Sequence, residues 1–141
     1  MRRYAEEEAS KVSLPITVVA GVAQDLPFED AEFDAGVVSL VLCSVPSQQD
    51  ALAEIKRVLR PGGELRFFEH VISHHPFKAG LQRVADATFW PRVAGGCHAA
   101  RDTRSAIEAS GFEVDHLRRF AYRGSAILPK VDHIIGMARR S

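Results

Sequence analysis

The sequence predicts an α/β domain built on a mainly parallel sheet, with an antiparallel pair toward its carboxyl end. Three observations point there. Apolar periodicity switches repeatedly between the helical and the strand pattern along the 141 residues, which marks alternating layers. The run from Asp34 to about Leu42 is apolar almost throughout instead of alternating, as a strand covered on both faces requires. The segment RVLRPGGELRFFEHV, Arg57 to Val71, joins a helix end, a Pro-Gly-Gly turn and a second apolar strand.

Taken in order, Tyr4 to Lys11 is rich in helix formers and predicts the end of a helix. Ile16 to Ala20 is β-branched and bounded by Pro15 and Gly21, hence a strand. A polar segment, Gln24 to Phe33, leads into the Asp34 strand. Ser47 with Asp50 three residues later opens a capped helix that puts Ala51, Leu52, Ile55 and Leu59 on one face, and Pro61, Gly62 and Gly63 end it. Glu64 to Val71 is the next central strand, and Phe77 to Phe89 a helix with Leu81, Val84 and Ala85 facing inward. A short helix, Thr103 to Ser110, starts at an Asp102 cap and stops at Gly111, which suits the left-handed position past a helix end. Phe112 to Phe120 and Val131 to Arg139 form the closing antiparallel pair.

Composition narrows the function classes. The length predicts one domain, and 46% apolar residues are enough for an ordinary core. Basic and acidic residues balance at 18 each, with no cationic stretch to follow a phosphate backbone, so no nucleic-acid partner is expected. No apolar run approaches the ~20 residues of a spanning helix, and MRRYAEEEASK has glutamates where a signal peptide turns apolar. Two cysteines, Cys43 and Cys97, are too few for a disulfide framework, and a reducing, cytoplasmic setting is the expectation.

Several segments stand in a telling order: VAGVAQDLPFEDAEFDAGVVSLVLCSVP, ALAEIKRVLRPGGELRFFEHV, the lone Trp90, GGCHAARDT (Gly95 to Thr103), IEASGFEV and HIIGMARR. Together they resemble class I S-adenosylmethionine-dependent methyltransferases of the ubiquinone/menaquinone-methylase type, and within them the methyltransferase-like group whose best-known members methylate thiols. The resemblance implies a seven-stranded sheet in the order 3-2-1-4-5-7-6, with S-adenosylmethionine across the carboxyl ends of the first four or five strands, at the topological switch point. It carries Gly21, Val22, Ala23 and Gln24 over to the adenine end of the cofactor, and Ser39, Leu40 and Val41 to the methionine end. Many relatives have Asp where Val22 stands, so the contact to the adenine amino group is lost unless Gln24 or Asp25 replaces it. The GGC-x-x-x-RDT segment implies that Cys97 and Arg101 line the acceptor, with Asp102 serving either there or as a helix cap. Cys43 and Ser44 follow the Asp34 strand and either contact a ligand or pack in the core.

Mapped on the family, Met1 falls just after the second strand. The expected fold is therefore an incomplete Rossmann-like methyltransferase fold lacking the first two strands and the glycine-rich cofactor loop, a single partial domain over residues 1–141. The gap left beside the Asp34 strand is two strand spacings, about 10 Å. Direct re-pairing of the Ile16 strand against the Asp34 strand is the leading expectation. A homodimer through the exposed sheet edge and a marginal fragment are the other two.

Methyl transfer from a sulfonium is an in-line displacement that needs orientation and water exclusion and no metal. His70, at the carboxyl end of its strand, is the candidate catalytic residue: it would take the proton of a thiol acceptor; the plainer alternative is that Glu69 and His70 orient a loop. Cys97-His98 with His74, His75 and His116 lacks zinc-site spacing, so no metal is expected. Phe77, Phe89 and Trp90 suit a core or pocket lid, and Arg118, Arg119, Arg139 and Arg140 solvated charges. The expected function is S-adenosylmethionine-dependent methyl transfer to a small-molecule acceptor, a thiol or a quinone-like or hydroxylated compound, impaired by loss of the glycine-rich loop. The alternative is a non-catalytic remnant or dimerising module of the same fold. A nicotinamide-binding fragment fits less well, since it gives the Pro-Gly-Gly strand and the RDT segment no role.

Overall fold

The structure, a computed structural model, describes residues 2–123 and 130–141. Its elements are α1 (Arg2–Ala9), β1 (Phe33–Ser39), α2 (Gln48–Val58), β2 (Leu59–His70), α3 (Pro76–Thr88), α4 (Trp90–Val93), α5 (Thr103–Ala109), β3 (Phe112–Tyr122) and β4 (Val131–Arg140). The four strands form one sheet in the order β1-β2-β4-β3. β1 and β2 are parallel, while β4 runs antiparallel to both its neighbours, so β1, β2 and β3 share one direction. This is the expected α/β layout with the antiparallel element at its carboxyl end.

Local chemistry sets the boundaries. The Ser47 hydroxyl accepts the Asp50 N–H at 3.2 Å to start α2, which buries Ala51, Leu52, Ile55 and Val58. The helix stops at Val58, one residue before the expected stripe residue Leu59, which instead pairs with Phe33 as the first residue of β2. Arg60 to Gly63 then bulge out before Glu64 meets Ala35. Glycine is required there: a Cβ on Gly63 would lie 2.8 Å from the Arg60 carbonyl and 3.1 Å from that of Asp34, and Gly62 has φ +77°. The Pro-Gly-Gly run thus shapes a strand bulge rather than a helix end. Asp102 caps α5 by accepting the Ser105 N–H, and Gly111 follows it at φ +79°. The core gathers Leu42, Leu52, Leu59, Leu65, Phe67, Val71, Ile107 and Ile134 between the sheet, α2 and α5.

Three expectations fail. Ile16 to Ala20 forms no strand, and Ile16 and Val19 are exposed, so the Ile16 run does not re-pair with β1. A strand needs a neighbour, and the connection into β1 is tied elsewhere: Glu54 accepts the Leu26 N–H, and Arg57 donates to the carbonyls of Leu26 and Phe28 and to Asp30. β1 is left as an open edge with Val37 75% exposed. On α3 the stripe of Leu81 and Val84 faces outward. Its inner face is Ala79, Gln82 and Asp86, because Gln82 bonds Ser73 N–H and the Ala99 carbonyl while Asp86 accepts the N–H groups of Ala99 and Ala100. Finally, two of the four arginines are drawn in from solvent: Arg119, which bonds the Ile72 carbonyl and Asp132, and Arg140, which bonds the Leu59 carbonyl, are partly buried, whereas Arg118 over the Phe120 ring and Arg139 beside Asp115 stay exposed as expected.

Candidate functional site

Parallel pairing of β1 with β2 brings their carboxyl ends out on the same side of the sheet, with Ser39 opposite Phe68. The chain leaves β1 through Leu40, whose φ of +54° is uncommon for a leucine and is held by a 2.8 Å bond from its N–H to the Phe68 carbonyl. Beyond it the loop is organised by Glu69. This carboxylate is fully buried and accepts three consecutive amides, Val41 and Leu42 on Oε1 at 2.9 and 3.1 Å and Cys43 on Oε2 at 3.1 Å. Three donors on one carboxylate offset the cost of taking it out of water.

The segment after α4 closes the site. His98 N–H donates to the Cys43 carbonyl at 2.8 Å, and Arg101 donates to the carbonyls of Leu42 at 2.7 Å and Pro46 at 3.5 Å. The cavity so framed is open to solvent at its mouth, has a volume of about 410 Å³ and is lined by Leu40, Cys43, Ser44, His70, Trp90 and Cys97 together with Tyr122, Val131 and His133. The Cys97 Sγ lies 3.5 Å from His70 Nδ1. Hydrogen bonding with the Cys43 thiol, and after it with His70, moves the Cys97 thiol well below its ordinary range, against the opposing effect of burial. Donation to Cys97 and burial push the Cys43 thiol up.

His133 stands opposite His70 in the β2–β4 register, its ring 5.4 Å from that of His70, stacked on Phe68 at 5.3 Å and edge-on to Tyr122 at 5.6 Å. Burial lowers the His133 pKa, and its Nδ1–H donates to the Val131 carbonyl at 3.0 Å, so the ring is neutral at neutral pH. Two buried polar atoms have no hydrogen-bond partner among the described residues, His70 Nε2 and Trp90 Nε1. With Nδ1–H directed at the Cys97 sulfur, Nε2 carries a lone pair and can accept a proton.

His70, Cys43, Cys97 and Leu40 therefore meet in one cavity. Arg101 stands behind the loop, engaged by its carbonyls. The other residues assigned to the cofactor do not converge. Ala23 and Val41 line a separate apolar hollow of about 440 Å³ along β1, Ser39 faces a third beside Phe68 and Met137, and Gly21 a fourth near Tyr4. Val22 and Asp25 bridge each other in a tight turn around Ala23 and Gln24. Glu69 was read from sequence as orienting a loop, which its three amide bonds bear out, whereas Tyr122 and His133 were not singled out. The first adjoins His70, but the other two reach the cavity only through long-range strand pairing. No group of three or more His, Cys, Asp or Glu able to hold a metal occurs among the described residues, and no helix among them is long and apolar enough to cross a membrane.

A methyltransferase domain family matches residues 1–67. The thiol S-methyltransferase TMT1B of Rattus norvegicus is 41% identical over 110 residues, covering 77% of this chain and 44% of that protein. The ubiquinone/menaquinone biosynthesis C-methyltransferase UbiE of Methylobacterium nodulans is 34% identical over 110 residues, 78% of this chain and 41% of that one. The chain thus spans less than half the length of these curated relatives. A solved SAM-dependent methyltransferase from Methanosarcina mazei shares the fold at TM-score 0.72 and 20% identity, over 99% of this chain and 76% of that one. The matched domain, the relatives and the shared fold agree that this chain belongs to the class I S-adenosylmethionine-dependent methyltransferases.

Proposed function

We propose that this chain supplies the acceptor side of S-adenosylmethionine-dependent methyl transfer to a small molecule, a thiol first and a quinone-like or hydroxylated compound second. One observation carries the reading: a cavity at the carboxyl ends of two parallel strands, walled by rings and aliphatic groups, with a histidine whose free nitrogen is buried. A thiol must lose its proton to become nucleophilic, and His70 Nε2 is the group placed to accept it. The Trp90, Tyr122 and His133 rings make the lining largely apolar and favour an uncharged, apolar acceptor body.

The methyl donor itself fits the described residues poorly. Gly21, Ala23 and Ser39 face different hollows, and Glu69 and the Phe68 carbonyl already occupy the amides of Leu40 to Cys43. Cofactor binding by this chain is accordingly impaired. The open β1 edge favours a second reading, a module that dimerises through that edge; the chain is then a homodimer with or without catalysis.

Calorimetric titration with S-adenosylhomocysteine, with the mass followed by light scattering, tests both readings. Weak or no cofactor uptake together with saturable binding of a small aryl or alkyl thiol is the expected result. A folded monomer that binds neither ligand would sink the methyl-transfer reading, and one that never self-associates would sink the dimer.

A further inference from the structure

We infer that Cys97 and Cys43 form an oxidant-reactive dithiol, in which Cys97 attacks a peroxide and Cys43 resolves the product to a disulfide in the cavity wall. The placement stands independently of any methyl transfer. The two cysteines come from segments far apart in sequence, yet both line the same wall. His98 N–H bonds the Cys43 carbonyl at 2.8 Å, so the backbone segments carrying the two side chains touch, and each thiol acts directly on the other, which makes the two sulfurs neighbours. A disulfide needs the two Cα atoms within ~4.4–6.8 Å of each other. Gly96, at φ +89°, supplies the left-handed backbone turn that leads into Cys97.

Accessibility assigns the roles. Cys97 is partly exposed, whereas Cys43 is only 2% exposed, so a small oxidant meets Cys97 first. His70 Nδ1 at 3.5 Å from the Cys97 sulfur stabilises the thiolate, the reactive form. The other titratable or charged groups around the pair are His133 from β4, Glu69 at the end of β2, Arg101 behind the loop and Asp86 on α3, which lies 3.7 Å from His98 Nδ1. The buried Trp90 N–H has no partner among the described residues and can receive an oxygen placed on the Cys97 sulfur.

The chemistry balances with hydrogen peroxide as the oxidant. The Cys97 thiolate, its proton already released to solvent, attacks one peroxide oxygen, the O–O bond breaks, and the departing hydroxide takes up a proton from solvent to leave as water, giving Cys97 sulfenic acid. The Cys43 sulfur then attacks the Cys97 sulfur as the S–O bond breaks, and the departing hydroxide with the Cys43 proton forms a second water. Two thiols lose two electrons and two protons to one peroxide.

Treating the whole chain with hydrogen peroxide near pH 7, then alkylating under denaturing conditions and mapping peptides by mass, tests the assignment. The expected product is an intramolecular Cys43–Cys97 disulfide reversed by dithiothreitol. In Cys43→Ser, Cys97 stops at a sulfenic acid that dimedone traps; in Cys97→Ser, Cys43 stays reduced. Without peroxide, iodoacetamide modifies Cys97 faster than Cys43 by about tenfold or more, and His70→Asn slows Cys97 modification by about tenfold at pH 7. Disulfides only between chains, faster modification of Cys43, or a Cys97 rate unmoved in a folded His70→Asn chain would overturn the inference. The wild-type peptide map decides even if a variant fails to fold.

Discussion

Glu69 lies under the site as a single buried charge bonded to three loop amides, so its replacement acts on stability and on cavity shape together. Glu69→Gln keeps one acceptor and turns a donor toward an amide that needs an acceptor. It should lower the unfolding free energy by about 1–3 kcal/mol, read as a drop in urea midpoint at unchanged slope. Glu54 makes a pH-dependent contribution. The Arg57 guanidinium, and after it the Leu26 N–H, hold the Glu54 carboxyl down at about 2 from an ordinary 4.5. A carboxyl with a depressed folded-state pKa stabilises the fold above its unfolded value and loses that contribution as the pH falls. Stability should therefore decline between pH 4.5 and about 2, and the Glu54→Gln chain should show a flatter profile across that window in thermal melts. At this scale His70 was legible because the end of an apolar strand is where α/β sheets open onto ligands. His133 was not, since nothing local in HIIGMARR marks it as facing His70.

Where the signal is local, elements came through from sequence: the Ser47 and Asp102 caps and the left-handed Gly111 each depend on a few adjacent residues. The misses share a different cause. The Ile16 run has strand composition without a ladder partner, and α3 has an apolar stripe that loses the inner face to Gln82 and Asp86, whose partners lie 9 to 17 residues away. Composition also hid how tightly β3 and β4 pack. A Cβ on Gly136 would collide with the His116 carbonyl, at the β3 bulge, and stand 2.6 Å from the Phe67 ring. Gly136→Ala should therefore cost about 1–3 kcal/mol, seen as a lower melting temperature with β3 amides losing hydrogen-exchange protection first.

Across the whole molecule the two margins of the sheet differ. β3 forms one margin and is covered in part by α5, whereas β1 at the other presents unpaired backbone beside an apolar hollow lined by Phe33, Val38 and Ile55. If that edge pairs two copies, Val37→Lys should shift the light-scattering mass to the monomer at concentrations where the parent chain associates, because a charged side chain on an edge strand blocks pairing. An unchanged mass would place any association elsewhere. The α/β class and chain direction of the strands were readable from the sequence, but the state of this edge was not, since it depends on which backbone lies next to it.

The sheet order also bears on how the chain assembles. β4 follows β3 in sequence but sits between β3 and β2, joined to them over ten and seven paired positions. During synthesis the β1–β2 pair and its helix can form early, yet β3 has no place in the sheet until the residues after it have emerged. Slow translation through this region would prolong a state with β2 bare along one side, open to capture by chaperones or by other nascent chains.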